Sequence, residues 1–150
     1  ASLELFLRKA FGQGSDYFQL KNLKVILEKN EQDDIVSEAM VKLCADGRTF
    51  HTAADGDGPV NALDNALRKA LTEVYPEIED MHLTDYKVRV LDGKEGTAAK
   101  VRVLIESADH SGKWNTVGVS ENIIEASWQA LVDSINYLLL KRRQNQPENN

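Results

Sequence analysis

The sequence predicts an α+β domain built from two pseudo-symmetric βββα repeats, with helices packed on antiparallel sheets and a short linker helix in front. Three observations carry this expectation. In "SEAMVKLCADGRTF" the residues Ala39, Val41, Leu43 and Ala45 alternate and run into Asp46-Gly47, which is the signature of a two-residue hairpin. From Pro59 onward, Val60, Leu63, Leu67, Ala70, Leu71 and Val74 recur at helical spacing. Finally, "FQLKNLKVIL" resembles "MHLTDYKVRVL", with Leu20 answering Leu83 and Lys24-Val25 answering Lys87-Val88, so the order of elements is stated twice.

The opening "ASLELFLRKAFG" reads as helix and lacks an initiator Met, so residues 1–16 are expected to be the end of a linker region in a longer polypeptide. Gly12-Gln13-Gly14 breaks it. The first strand follows, with Leu23, Val25 and Leu27 on one face, and the hairpin through Phe50 adds two more. Pro59 suits the first helical position, where its missing N–H is not needed, and Pro76 is expected to close the segment. In the second repeat Ala99, Val101, Val103 and Ile105 alternate, Ser111-Gly112 supplies the turn and Trp114 takes the place of Phe50. The closing helix "ENIIEASWQALVDSINYLLL" places Ile124, Trp128, Leu131, Ile135 and Leu138 in one stripe. Repeat one thus spans about 17–76 and repeat two about 80–141, forming one domain over 17–141. The polar tail 142–150 is expected to be disordered.

Composition restricts the function classes. A chain of 150 residues, 42% hydrophobic, is long enough to bury a core. With 24 acidic against 18 basic residues the net charge is -6, which argues against a broad grip on a nucleic-acid backbone. The single cysteine, Cys44, excludes an intrachain disulfide and a cysteine-based zinc site and suits a reducing compartment, with the cytoplasm as default. No apolar run reaches membrane-spanning length. His51, His82 and His110 lack metal-ligand spacing, and no nucleophile, base and orienter group can be assembled, so neither a metal site nor a catalytic residue is expected in this chain.

The two helix entrances are the most informative stretches. Superposing the helices lays "DGDGPVNA" (55–62) on "VSENIIEA" (119–126), with Gly58 opposite Asn122. Asn122 is a good N-cap, with Glu125 three residues on as in a capping box. The dinucleotide and P-loop fingerprints are absent at the Gly56-Asp57-Gly58 entrance. Two readings stay open. These stretches are well-made caps, or the glycines let a carboxylate approach the open amides of a helix N-terminus. Tyr86 is likewise either core or pocket wall.

The motifs "GDGPVNALDNALRKAL", "DYKVRVLDGKEGTAAKVRVLIES" and "TVGVSENIIEASWQALVDSINYLL" resemble the C-terminal regulatory domain, the LeuA dimer domain, shared by 2-isopropylmalate synthases and citramalate synthases. The resemblance covers about 1–141 and is closer to the citramalate synthase branch. It implies two βββα units, a homodimer, and an end-product amino acid held at the interface: isoleucine in citramalate synthases, leucine in 2-isopropylmalate synthases. Carried over by motif, the effector site comprises Gly56, Gly58, Pro59, Val60 and Asn61, the strand residues Leu83, Tyr86 and Val90, and the second entrance Val119, Glu121 and Ile123. Asn61 departs from the pattern, since many relatives carry Asp there, whose charge could meet the effector's ammonium. The implied parent is an acetyl-CoA-dependent acyltransferase, whose divalent metal and acetyl-CoA belong to a separate catalytic barrel. This chain itself would not be catalytic. A leucine-sensing domain of a 2-isopropylmalate synthase and a purely structural dimerisation domain are the alternatives.

Overall fold

The computed structural model describes residues 17–29, 31–91 and 99–145, with side chains to 143, so the expected linker helix over 1–16 lies outside the described residues. The remaining chain has the repeated architecture. Strands β1 (Gln19–Lys29), β2 (Ile35–Ala45) and β3 (Arg48–Gly56) precede helix α1 (Pro59–Leu71), and a 3-10 turn at Pro76–Asp80 joins the repeats. Strands β4 (His82–Leu91), β5 (Lys100–Asp109) and β6 (Gly112–Ser120) then precede helix α2 (Ile123–Asn145). Each repeat makes its own three-stranded sheet, in the orders β1-β2-β3 and β4-β5-β6, with antiparallel pairing throughout.

The register follows from the alternation. Leu23, Val25 and Leu27 of β1 lie opposite Val41, Ala39 and Ser37 of β2, which places all six on the inner face of the sheet, where α1 packs chiefly on β2 and β3 and leaves Leu27 exposed. Asp46 and Gly47 both take positive φ, as the tight β2–β3 hairpin requires. In repeat two the loop residues are His110 and Ser111. Gly112 is not within the loop; it begins β6, at a φ of 150° that favours glycine. The Asp109 side chain closes this loop by accepting from the backbone and the hydroxyl of Ser111.

Two helix boundaries differ from the sequence expectation. Helix α1 stops at Leu71 rather than running to Pro76, because the amides of Val74 and Tyr75 both turn back to the Leu71 carbonyl and the Thr72 hydroxyl donates to the Arg68 carbonyl. Pro76 starts the connecting 3-10 turn instead. Helix α2 continues past Lys141 to Asn145, so 142–145 is helix and not part of a disordered tail. Its last turn is anchored by side chains: Lys141 and Arg142 both donate to Asp109, and Arg142 also reaches Asp80.

Leu63, Leu67, Leu71, Leu131, Ile135 and Leu138 are buried in one core shared by both repeats. Ile124 and Trp128 of the expected α2 stripe are only partly buried, whereas Ala126, Ser127 and Ala130 are fully buried. The cause is close packing: a Cβ at Gly118 of β6 would collide with the Ala126 carbonyl, so only small residues fit where helix and sheet approach.

Candidate functional site

The polar edge of α1 faces the first strand of the second repeat. Asn61, Asp64, Asn65 and Arg68 are spaced i, i+3, i+4 and i+7, so they share one helical edge. Together with Val60, and with His82, Leu83 and Tyr86 of β4, they line a cavity of about 330 Å³ between the two repeats. The walls differ in character. Val60, Leu83 and the Tyr86 ring are the apolar side, and Asp64 and Arg68 are the fixed charges.

Those charges are organised. Arg68 Nε donates to Asp64 Oδ2 at 2.9 Å, and Arg68 Nη1 donates to the carbonyls of Ile78 (3.1 Å) and Met81 (2.6 Å) in the connection between repeats. Asp64 is buried, and that desolvation raises its carboxyl pKa by more than the Arg68 charge and hydrogen bond lower it. Asn61 is engaged as an acceptor, since Asn65 Nδ2 donates to its side-chain oxygen at 3.0 Å and to the Asp55 carbonyl at 2.9 Å. The negative charge in this cavity therefore comes from Asp64, one turn beyond the Asn61 position.

The two glycines of the first entrance serve different ends. A Cβ on Gly56 would collide with the backbone at Asn61 and Ala62, so this glycine is needed for the turn from β3 into α1. A Cβ on Gly58 would meet only the Tyr86 hydroxyl, at 3.8 Å, and its φ of -156° is open to any residue. Gly58 is the N-cap of α1, with no side-chain cap, and Pro59 follows at the start of the helix. Beside it lies an open depression lined by Asp34, Asp55, Gly56 and Asp57 as well as Asn61 and Asn65, whose carboxylates disfavour an anion on that side.

Of the residues singled out from sequence, Val60, Asn61, Leu83 and Tyr86 come together in the cavity, and Gly58 adjoins it through Tyr86. Val90 lies further along β4, 65% exposed. The second entrance is elsewhere and does not line the cavity. Val119 lies opposite Arg102 on the outer face of its sheet, whereas Val90 shares the inner face with Val101. Asn122 caps α2 by accepting from the amides of Ile124 and Glu125; Glu125 bonds the Ser120 hydroxyl rather than closing a capping box. Ile123 is 39% exposed and Glu121 is exposed beside it. Sequence alone does not single out Asp64, Asn65 or Arg68, and marks His82 only as a histidine without metal-ligand spacing; the stripe at 61, 64, 65 and 68 is the available signal. Among the described residues, no three His, Cys, Asp or Glu side chains are grouped to hold a metal ion, and no helix is long and apolar enough to cross a membrane.

The family described as the LeuA allosteric (dimerisation) domain matches residues 1–139. The chain is 54% identical over 142 residues to an (R)-citramalate synthase of Aquifex aeolicus, covering 94% of this chain and 27% of that protein. An (R)-citramalate synthase of Geobacter sulfurreducens is 52% identical over the same shares of both chains. A 2-isopropylmalate synthase of Shewanella frigidimarina is 30% identical over 132 residues, covering 88% of this chain and 23% of that protein. The chain thus spans about a quarter of the length of these relatives.

Proposed function

This chain belongs to the LeuA allosteric (dimerisation) domain family, and from that premise we propose that it is the regulatory and dimerising part of a citramalate synthase that responds to isoleucine. The parent reaction is the condensation of pyruvate with acetyl-CoA in the cytoplasm, with the divalent metal and acetyl-CoA held outside this chain. The observation that supports an amino-acid effector is the cavity between α1 and β4. Its volume of about 330 Å³ is at the small end of ligand pockets. Its lining pairs an aliphatic and aromatic wall with one carboxylate and one guanidinium, the complement of a free amino acid with a branched side chain. The higher identity to citramalate synthases than to the 2-isopropylmalate synthases favours isoleucine over leucine.

A homodimer suits the surface as well as the family. Tyr86, Val88 and Val90 follow one another on the inner face of β4 and are 45%, 42% and 65% exposed, because α2 covers β5 and β6 but leaves this strand bare. A second copy offering the same strip would close it in an isologous interface.

Isothermal titration of the chain with isoleucine, leucine and valine tests the effector reading. Isoleucine is expected to bind most tightly, by roughly tenfold or more over valine, which lacks one methylene, and ahead of leucine, an isomer that differs only in where its chain branches. Binding of none of the three would reduce the chain to a structural dimerisation domain.

A further inference from the structure

Arg68 joins the cavity to the connection between the repeats. It lines the cavity beside Asp64, and its Nη1 holds the carbonyls of Ile78 and Met81. These are the backbone groups through which the chain leaves the 3-10 turn and enters β4, the strand that supplies the opposite wall. The guanidinium is planar and rigid, so its acceptors cannot shift independently: moving the Asp64 end moves the connector end. The remaining nitrogen, Nη2, is buried with no hydrogen-bond partner. A buried charged donor without an acceptor is a costly state. A carboxylate is the class of group that pairs with such a donor, and because Nη2 has no open surface in this state, a ligand carboxylate reaches it only if the cavity wall yields.

We infer that Arg68 is a positioning residue that couples filling of the cavity to the pose of the second repeat, its guanidinium drawing on the carboxylate of a bound amino acid while it holds the connector. The inference rests on the amino-acid reading of the cavity given above. A ligand that completes the hydrogen bonding of the fork favours the arrangement in which the connector is clamped, and this differential affinity is what a regulatory site requires.

Hydrogen exchange by mass spectrometry on the whole chain, with isoleucine as the probe, tests this. In the wild-type protein, saturating isoleucine is expected to slow exchange of peptides covering 76–83 by at least about fivefold, the lower end of ordinary coupling energies. Arg68→Lys keeps the positive charge but loses the planar fork, so it is expected to bind isoleucine more weakly and, at isoleucine concentrations that saturate the variant, to show no such protection. If isoleucine binds the wild type and exchange over 76–83 does not change, the coupling is overturned although the cavity reading stands. Full protection in an isoleucine-bound Arg68→Lys protein overturns it equally. If isoleucine, leucine and valine all fail to bind the wild type, the cavity reading falls and takes the coupling with it. Should Arg68→Lys not fold, the wild-type exchange result decides alone.

Discussion

Gly56 and Gly58 stand two residues apart and answer to different demands, which makes them a sharp test at the scale of single residues. Gly56 is fixed by the backbone of Asn61 and Ala62 packed against it, so Gly56→Ala is expected to destabilise the fold by about 3 kcal/mol, as overpacking does. Urea unfolding of the variant measures this. Gly58 has room for a Cβ, with only the Tyr86 hydroxyl near, so Gly58→Val is expected to stay folded and to lose only about 1 kcal/mol of stability, the cost of valine in place of glycine at an N-cap. The same variant narrows the approach to the cavity beside Tyr86, and titration is expected to show isoleucine binding weakened by at least about tenfold, a loss of roughly 1.4 kcal/mol. The sequence drew attention to both glycines but could not divide their roles. Close approach of β3 to α1 is a tertiary fact, and a Gly-x-Gly before a helix reads the same whether the space above it is filled by backbone or left for a ligand. Asp64 and Arg68 went unnoticed for a related reason. An i,i+4 acid–base pair on a helix usually signals a solvated face, and only the placement of β4 turns this one into the floor of a cavity.

Among the elements, hydrophobic periodicity made the strands and helices legible, while their ends depended on side chains far away in sequence. Helix α2 shows why. Its last turn is polar and would fray alone, but Lys141 and Arg142 converge on Asp109, whose side chain has no exposed surface. Burial would raise the Asp109 carboxyl, and the hydrogen bonds from the Ser111 hydroxyl, Lys141 and the Ser111 amide outweigh it, holding the group well below the usual carboxylate range. Because the folded state binds this proton more weakly than the unfolded chain, the stabilisation is complete above the unfolded carboxylate pKa of about 3.9 and is lost as the pH falls below it. Thermal unfolding is therefore expected to show stability falling below about pH 4, with a shallower fall in Asp109→Asn over the same range. At neutral pH, Asp109→Asn is expected to cost about 2 kcal/mol, less than a wholly buried pair because Lys141 and Arg142 keep 19% and 25% of their side-chain surface exposed. Equal pH profiles for the two proteins would remove Asp109 as the anchor of the helix end.

For the molecule as a whole, the internal repeat was legible because "FQLKNLKVIL" and "MHLTDYKVRVL" share a pattern, yet the repeats do not use their surfaces alike. Helix α1 meets β4 across a cavity, while the inner face of β4 beyond Tyr86 is left bare. A repeat in sequence says that two units pack together; it does not say which strip stays open for a second copy, since that depends on how far each helix reaches over its sheet. The bare strip carries the last prediction. Val90 is 65% exposed in the single chain, so Val90→Arg removes little buried surface and is expected to change the stability of a monomer by no more than about 0.5 kcal/mol. In a dimer closed over Tyr86, Val88 and Val90, the same substitution places two unpaired guanidinium groups near one another across an isologous interface, once from each copy. Desolvating such charges without partners costs several kcal/mol, so dissociation is expected to become easier by at least about a hundredfold. Light scattering across a concentration series is expected to find wild type as a dimer and Val90→Arg as a folded monomer over the same range. A Val90→Arg protein that stays dimeric throughout would mean that the bare face of β4 is not where the copies meet, and the partner strip would have to be sought elsewhere on the surface.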